Sequence, residues 1–384
     1  QATENTKYFQ TGTYGPTPIS VIQEVNKYML LESSFGPASK DSKEIIQNKD
    51  NNSRSVLSKF LNSDINNLSI TQNTSQAIAK IFKNIEWKNG DEIIISSSEH
   101  VSTLGFIQTI IKKYSINLKI INAFLSEDEL LNKINSNLNK RVKLVCMSHV
   151  TSPDGIILPI KKIIDLCKSH NVLTMIDGAQ SVGIMPVDLQ EYDPDFYVGS
   201  GHKWMLGPLG TGFLYISNRI LKDFNPDNIA LRHPWTFTNL PDPKNNARGQ
   251  TEIGTYNHPI VIGLGRAVEN INELGIQNIQ NDVHKKMQFI RNELNKVNGI
   301  NIITPINDME SGGIITIKIK GYNEKSLKSL VNKLYDDYKI LVKFQWMTAP
   351  PDIEKVGIRI SIAFFNTQEE ILLLTQSLKK EISL

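Results

Sequence analysis

Two charged residues that could do chemistry stand at the ends of two apolar runs. The run 174–176 ends in Asp177, and the run 195–198 is followed, after a short polar stretch, by Lys203. A charge beside a protein core is costly unless it has a partner. If both runs are parallel strands, their carboxyl ends share one edge of the sheet, where open α/β sheets bind ligands. The sequence therefore predicts that Asp177 and Lys203 meet in one crevice.

This pair of side chains suits pyridoxal phosphate. The aldehyde of that cofactor takes a lysine amine, and an acid keeps its pyridine nitrogen protonated. Lys203 would hold the aldehyde and then act as general base at Cα of a substrate. Asp177 would hold the proton on the ring nitrogen. Each residue also has a simpler explanation, because a lysine after a turn is commonly exposed and an aspartate after a strand commonly caps a helix.

Seven short motifs extend this pattern along the chain. They are TQNTSQ at 71–76, SEH at 98–100, SHVTS at 148–152, DGAQS at 177–181, SGHK at 200–203, EIGT at 252–255, and RIS with FNT at 359–361 and 365–367. In these motifs and their order, the chain resembles the class V aminotransferase family of fold-type I pyridoxal-phosphate enzymes. That family includes cysteine desulfurases, cysteine/cystine C–S lyases and isopenicillin-N-epimerase-like proteins. The resemblance spans nearly the whole chain.

The resemblance implies roles for further residues. His100 would stack on the cofactor ring, Gln180 would hydrogen-bond the ring hydroxyl, and Ser152 would belong to the cofactor site. Arg359, flanked by apolar strand residues, would bind the substrate α-carboxylate through its planar fork. A polar surface position for His100, a solvated helix position for Gln180 and a structural salt bridge for Arg359 are the alternatives.

The cofactor phosphate needs an anion site. Thr74 and Ser75 precede a helical pattern, and hydroxyls beside free backbone N–H groups at a helix start bind anions, although ordinary N-capping needs the same residue types. By resemblance, Ser200 and His202 are further phosphate ligands. Thr255 matches a threonine that in the family reaches the phosphate of the neighbouring subunit, which implies a homodimer with shared active sites. The alternative for Thr255 is a loop hydroxyl.

The chain departs from the desulfurase pattern in one segment. Desulfurases carry a nucleophilic cysteine shortly before the strand of the substrate-binding arginine, but the segment 343–351 has none, and Thr348 stands near that position. Cys146 and Cys167 both lie in apolar contexts, so no persulfide-forming thiol is expected. Desulfurases also have an asparagine where this chain has Ser152.

The sequence allows two interpretations of three large side chains in this segment. Phe344, Trp346 and Met347 could line a substrate pocket or pack under the smaller domain.

These features favour β-elimination from a sulfur amino acid. Lys203 would remove the Cα proton, and the sulfur at Cβ would leave as thiol or persulfide. Epimerisation is the second candidate reaction, but it needs a second acid opposite Lys203 that the sequence does not identify. Transamination is the third candidate reaction. A non-catalytic scaffold protein is a candidate of a different class.

Composition and charge limit the other classes of protein to which the chain could belong. The chain has 384 residues, a net charge of +3 and 40% hydrophobic residues. Interspersed charges indicate neither a nucleic-acid nor a membrane partner. No apolar run reaches the length of a membrane span, and no N-terminal segment is typical of a signal peptide. Two cysteines make no disulfide framework. We therefore expect a cytoplasmic protein, and no metal site is predicted.

Alternating strand and helix patterns predict how these residues are positioned. Strands are expected at 91–97, 118–123, 142–147, 172–176 and 210–217, and helices near 103–115, 126–136, 160–170, 259–274 and 276–297. Capping boxes mark two helix starts, Ser126 with Glu129 and Thr367 with Glu370. From about residue 300, the pattern reads strand, helix, strand, strand, helix.

The predicted fold class is α/β. A mostly parallel, seven-stranded-type sheet lies between helices, with a smaller C-terminal α+β domain. The large domain would span 15–257. The small domain and connecting helices would span 258–384 together with the N-terminal segment 1–14, and 222–250 would be irregular.

Overall fold

The computed structural model describes residues 3–224, 246–252, 254–305, 312–347 and 356–382. The helices of these residues are α1 (Ile19–Phe35), α2 (Lys40–Phe60), α3 (Thr74–Asn84), α4 (Val101–Tyr114), α5 (Glu127–Asn137), α6 (Ile160–Ser169), α7 (Leu189–Tyr192), α8 (Asn218–Leu221), α9 (Ala247–Thr251), α10 (His258–Leu274), α11 (Ile276–Leu294), α12 (Glu324–Tyr338) and α13 (Gln368–Ile382). The strands are β1 (Lys7–Tyr8), β2 (Leu68–Thr71), β3 (Glu92–Ser96), β4 (Asn117–Ile121), β5 (Val142–Ser148), β6 (Leu173–Asp177), β7 (Phe196–Ser200), β8 (Gly212–Ile216), β9 (Ile300–Ile302), β10 (Ile314–Ile319), β11 (Ile340–Leu341), β12 (Lys343–Trp346) and β13 (Val356–Ser361).

A seven-stranded sheet forms the centre of the molecule, in the order β2-β8-β7-β6-β5-β3-β4. The five strands from β7 to β4 are parallel, whereas β8 runs antiparallel to both β7 and β2. Strands β3, β7 and β8 are buried along their whole length. Burial on both faces explains their continuous apolar runs, which is typical of a sheet covered by helices on both sides. The predicted mostly parallel sheet is confirmed.

A second sheet of four antiparallel strands lies in the C-terminal part, in the order β12-β13-β10-β9. The N-terminal segment lies against this part, because β1 pairs in parallel with β11 and the Ser361 N–H donates to the Phe9 carbonyl over 2.9 Å. The N-terminal segment is thus joined to the C-terminal part by backbone hydrogen bonds. The domain boundaries at 15–257 and 258–384 stay a prediction.

The predicted elements agree with the structure apart from local differences. Both capping boxes form, since the Ser126 and Thr367 hydroxyls accept from the backbone of the third helical residue and the glutamates accept in return. Among the described residues, two strands, not one, precede α12, and three, not two, follow it. The additional strands, β9 and β11, have only three and two residues, so their apolar signals are weak. Of the segment expected to be irregular, 225–245 lies outside the described residues.

A buried ion cluster fixes the segment that carries the EIGT motif. Arg54 on α2 donates from Nε to Asp50 over 2.7 Å and from Nη1 to Glu252 over 2.6 Å. Glu252 also accepts the backbone N–H of Ile70 on β2 over 2.8 Å. Burial raises the pKa of Asp50, but the contacts with His258 and Arg54 outweigh it and lower that pKa to about 2. The cluster thus joins α2 and β2 to the residues preceding Thr255.

We expect Glu252→Gln to lower the free energy of unfolding by about 3 kcal/mol, because removing one partner of a buried ion pair leaves the other charge uncompensated. Glu127→Gln removes a carboxylate from an exposed pair with Lys162 and should cost less than about 1 kcal/mol. Urea denaturation of both variants and the parent measures the difference. Equal losses in the two variants would contradict this account of the cluster.

Candidate active site

A cavity of about 500 Å³ lies at the carboxyl ends of β5, β6 and β7. The first turn of α3, the loop 12–14 and residues of β12 and β13 complete its wall. The predicted site residues that line it are Thr74, Ser75, His100, Ser152, Asp177, Gln180, Ser200, His202, Lys203 and Arg359. Residues spread over almost three hundred positions of the sequence therefore meet in one place, as the sequence predicts for Asp177 and Lys203.

Asp177 is the last residue of β6, and parallel pairing sets it opposite Val198 on β7. Its side chain is only 5% exposed, and Oδ1 accepts the Ala179 N–H over 2.9 Å. A turn follows it instead of a helix, so helix capping does not explain this aspartate. Burial raises the pKa of Asp177, while the nearby Lys203 ammonium opposes this rise. The Asp177 carboxylate is thus buried beside a cation.

Lys203 lies in the turn that follows β7. Burial lowers its pKa to about 8, with Asp177 acting against this shift and Arg359 adding to it. The N-terminal segment closes over this turn, because the Gly15 N–H donates to the His202 carbonyl over 2.8 Å. A Cβ at Gly15 would collide with the Lys203 carbonyl, so the close approach requires glycine.

The first turn of α3 and the end of β7 carry groups that suit an anion. Asn73 caps the helix by accepting the Gln76 N–H over 2.8 Å, so N-capping does not account for Thr74. The Thr74 hydroxyl instead lies 2.6 Å from the Ser200 hydroxyl. Ser75 lines the cavity from the same turn. The positive end of the helix dipole and the unpaired N–H groups of a first turn favour a phosphate here.

His202 extends this site. Its Nδ1 lies 2.9 Å from the Thr211 carbonyl and donates to it, which leaves Nε2 as the ring atom available to the cavity. Burial lowers the pKa of His202, with Lys203 adding to the effect. A neutral imidazole can still accept or share a proton with a phosphate group.

His100 ends the loop after β3 and caps α4. Its Nδ1 accepts the Ser102 N–H and lies 2.7 Å from the Ser102 hydroxyl. Burial lowers the pKa of His100 to about 4, and the cations Lys203, Lys343 and Arg359 contribute. The imidazole is therefore neutral at physiological pH. It lines the cavity and is not a surface group, while its stacking role stays a prediction.

Gln180 is buried in a turn, so the solvated helix position is wrong. Its Nε2 donates to the Gly12 carbonyl over 2.9 Å and to the Ser152 hydroxyl over 3.2 Å. Its Oε1 accepts from Trp204 Nε1 over 2.8 Å. The amide orientation is thus set by three protein partners. The N-terminal loop and the strand-end residues of the large sheet meet at this side chain.

Arg359 is 1% exposed and lies on β13. Nη1 donates to the carbonyl and the hydroxyl of Ser152, both over 3.0 Å, and Nη2 donates to the Thr13 hydroxyl over 2.8 Å. Within the described ranges, no carboxylate lies within ion-pair distance of this guanidinium. The structural salt bridge therefore finds no support there, and an oriented, buried guanidinium at a cavity wall suits a carboxylate ligand.

Thr255 is the predicted site residue that does not line this cavity. It is exposed and lines a neighbouring cavity of about 470 Å³, whose wall shares Gln72, Asn73 and Gly210 with the first. This position agrees with a residue that faces another subunit, and that role stays a prediction.

The structure gives no support to the pocket-lining alternative for the three large side chains of the segment 343–347. Phe344 packs on the hydrophobic core, Trp346 is 51% exposed, and Met347 is buried elsewhere, so none of them lines the cavity. Lys343 lines it instead. The signal that could have found it is strand alternation, which puts Lys343 and Phe344 on opposite faces of β12.

Glu99 is a second residue that the sequence reasoning left without a role. Its carboxyl group accepts the Ser148 N–H over 3.0 Å and the Ser148 hydroxyl over 2.7 Å. Burial raises its pKa to about 7. Because Ser148 pairs with Asp177 across β5 and β6, Glu99 fixes the strand end that carries the site.

Both cysteines lie away from the cavity. Cys146 is on β5 and Cys167 on α6, both are 0% exposed, and neither forms a disulfide. Burial raises the pKa of Cys146 well above its usual value and that of Cys167 to about 12. Since the chain has only these two cysteines, no thiolate is available at the cavity. Thr348 lies outside the described residues.

The cavity fits pyridoxal phosphate. It combines a partly buried lysine, a buried aspartate and a helix-end anion site, which match the aldehyde, the ring nitrogen and the phosphate of that cofactor. The neutral His100 at the cavity wall offers a flat imidazole face.

The family of the chain follows from its sequence. A family model for class-V aminotransferases matches residues 8–374. The chain therefore belongs to the class-V aminotransferase family, and the prediction of a pyridoxal-phosphate-dependent enzyme of fold type I is confirmed.

Curated relatives are similar over most of the chain. It is 29% identical over 315 residues to a cysteine desulfurase of Shigella sonnei, a match that covers 79% of this chain and 74% of that protein. A cysteine desulfurase of Escherichia coli is 28% identical over the same length and coverage.

Solved structures share the fold. The cystine C–S lyase C-DES, in complex with its reaction product cysteine persulfide, has a TM-score of 0.86 at 24% identity, over 98% of each chain. Apo cysteine desulfurase from Thermococcus onnurineus has a TM-score of 0.85 at 23% identity, over 98% of this chain and 95% of that one. Among the described helices, none combines the length and apolar character of a membrane span.

We expect Lys203→Ala to abolish covalent retention of the cofactor after borohydride reduction, because the chain would lose the amine that holds the aldehyde. Mass spectrometry of tryptic peptides measures the attachment site, and thermal melting checks that the variant is folded. Lys161→Ala, which removes an exposed lysine of α6, is the control and should retain the cofactor. Cofactor attached to another lysine in Lys203→Ala would contradict the assignment.

Proposed function

We propose that this protein is a homodimeric C–S lyase that catalyses β-elimination from a sulfur-containing α-amino acid. One observation carries the proposal: the cavity has the groups for chemistry at Cα, while both thiols of the chain are buried elsewhere with raised pKa values. Sulfur transfer to a protein thiolate needs an accessible cysteine. Sulfur leaving by elimination at Cβ needs none.

In the proposed reaction, the cofactor and three residues of the chain each have a separate role. When bound, the cofactor supplies an electron sink for the charge that develops at Cα. Lys203 takes the proton from Cα, and its pKa of about 8 suits a general base near neutral pH. Asp177 keeps the proton on the ring nitrogen. Arg359 binds the α-carboxylate and so orients the Cα–H bond toward Lys203.

The reaction balances without an oxidant or reductant. The Cα–H and Cβ–S bonds break, and the sulfur leaves with a proton as a thiol or persulfide. Water then hydrolyses the unsaturated amino acid. Cysteine and water thus give pyruvate, ammonia and hydrogen sulfide, and a disulfide substrate gives a persulfide in place of hydrogen sulfide.

The similar proteins support two different reactions. C-DES is named as a cystine C–S lyase whose product is cysteine persulfide, whereas the curated relatives are named cysteine desulfurases. Desulfuration converts cysteine to alanine and leaves the sulfur on an acceptor. The positions of Cys146 and Cys167 favour the lyase. Product analysis also distinguishes epimerisation and transamination, through the inverted enantiomer and the keto acid that retains the substrate side chain.

The dimer and the location are further parts of the proposal. An exposed Thr255 beside a cavity that adjoins the active site supports a shared site between two subunits. Sedimentation velocity tests the dimer, and a monomer that retains full activity would contradict it. The cytoplasmic location is proposed from the sequence alone.

In a single turnover with cysteine or cystine, we expect pyruvate and ammonia in equal amounts and no alanine. The double variant Cys146→Ala/Cys167→Ala should give the same products in the same amounts, because neither thiol reaches the cavity. Chromatography of derivatised amino acids and keto acids measures both products. Stoichiometric alanine with sulfur on a cysteine of the parent protein would overturn the proposal.

We expect Asp177→Asn to retain covalently bound cofactor but to lower the elimination rate by roughly 100-fold or more, since each tenfold loss corresponds to about 1.4 kcal/mol of transition-state stabilisation. The amide keeps the size of the side chain but cannot hold the ring nitrogen protonated. Asp165→Asn, on the exposed face of α6, is the matched control. An Asp177→Asn enzyme that runs at the parental rate would show that the carboxylate is not needed.

A further inference from the structure

The cavity wall carries two cations on neighbouring strands. Lys343 and Arg359 are directly opposite each other in the antiparallel pair of β12 and β13, and both line the cavity. Side chains directly opposite in such a pair lie on the same face of the sheet, with Cβ atoms about 4.5–5.5 Å apart. The Lys343 ammonium therefore stands beside the Arg359 guanidinium at one wall.

Two like charges in this arrangement are destabilising on their own. In the part of the chain that the structure describes, no carboxylate lies within ion-pair distance of either group. Burial lowers the pKa of Lys343 to about 8, and Arg359 and Lys203 contribute to that shift. A bound anion would remove this repulsion. A pair of cations at a cavity wall for which the described residues supply no carboxylate partner is therefore a candidate ligand site.

The remaining charged groups of the cavity already have partners in the proposed reaction. Asp177 serves the ring nitrogen, Lys203 serves the aldehyde, and the first turn of α3 with Thr74 and Ser200 serves the phosphate. Arg359 serves the substrate α-carboxylate, and its Nη atoms are oriented for this by Ser152 and Thr13. Lys343 is the charged lining residue that is left over.

We propose that Lys343 binds a second anionic group, carried by the side chain of the substrate. This inference rests on the proposed function, in which Arg359 takes the α-carboxylate. The substrate class is then a sulfur amino acid whose leaving group bears a carboxylate, such as a disulfide or thioether of cysteine with an acidic distal end. The long, flexible lysine stem suits a group whose distance from Cα varies among substrates.

Equilibrium binding to the holoenzyme tests the site without turnover. Succinate, glutarate and adipate are each compared with their monoamides by isothermal titration calorimetry. We expect at least one dicarboxylate to bind about 10- to 100-fold more tightly than its monoamide, as a charge-assisted hydrogen bond would provide. Lys343→Met should remove this preference and leave the affinity for the monoamide unchanged. Lys343→Arg should retain it.

Two controls separate a binding role from a structural one. Lys325→Met removes an exposed lysine of α12 and the same net charge, and it should leave the preference intact. The thermal midpoint of unliganded Lys343→Met should be no lower than that of the parent, because the variant loses a repulsion and no ion pair to any residue that the structure describes. A lower midpoint would indicate a structural role and contradict the proposal.

A matched pair of substrates tests the consequence for turnover. The mixed disulfides of cysteine with mercaptoacetate and with mercaptoacetamide differ only in the charge of the leaving group. We expect kcat/KM to favour the carboxylate about 10-fold or more, and Lys343→Met to remove this preference through KM. Elimination of both disulfides with the same kcat/KM would contradict the proposed anion site but would still agree with the lyase proposal.

The remaining outcomes are also decisive. If no disulfide is eliminated but the dicarboxylate preference appears and depends on Lys343, the lyase proposal fails and the anion site stands. If Lys343→Met weakens the binding of dicarboxylates and of monoamides equally, Lys343 and Arg359 bind the same carboxylate. The proposal of a second anion site is then wrong.

Discussion

The parallel pairing of β6 with β7 is the constraint on which the site depends, because it brings a carboxylate and an amine to one edge of the sheet. Asp177 ends β6, and Lys203 follows β7 after a short turn. Burial penalises both charges, and each lessens the penalty of the other. An environment that excludes water also strengthens their action on a bound ligand.

The two sheets contribute opposite parts of the cavity. The seven-stranded sheet supplies the groups that match the cofactor, at strand ends and at the start of α3. The four-stranded sheet supplies Arg359 and Lys343, the cations that match a substrate. The N-terminal segment joins both sides, because Thr13 contacts Arg359 and the Gly12 carbonyl accepts from Gln180. In the proposed function, substrate recognition and cofactor binding are thus assigned to different sheets.

The positions of the two thiols limit the sulfur chemistry that this chain can perform. In this chain, Cys146 fills the core side of β5 and Cys167 that of α6, where burial keeps both protonated. A thiol that stays protonated is a poor nucleophile. The proposed chemistry therefore depends on Cα activation alone, and in the proposed site the cations of the small sheet would select the substrate side chain.

The sequence by itself determined the sheet, the cofactor and most of the site, because apolar runs, polar strand ends and family motifs are local patterns. It could not pair Lys343 with Arg359, since the cross-strand partner of a residue depends on the register of the two strands. Nor could it exclude Thr74 as the cap of α3, which the Asn73 cap does. Burial, and with it the lowered pKa of Lys203, exists only once both sheets, α3 and the N-terminal segment enclose one cavity.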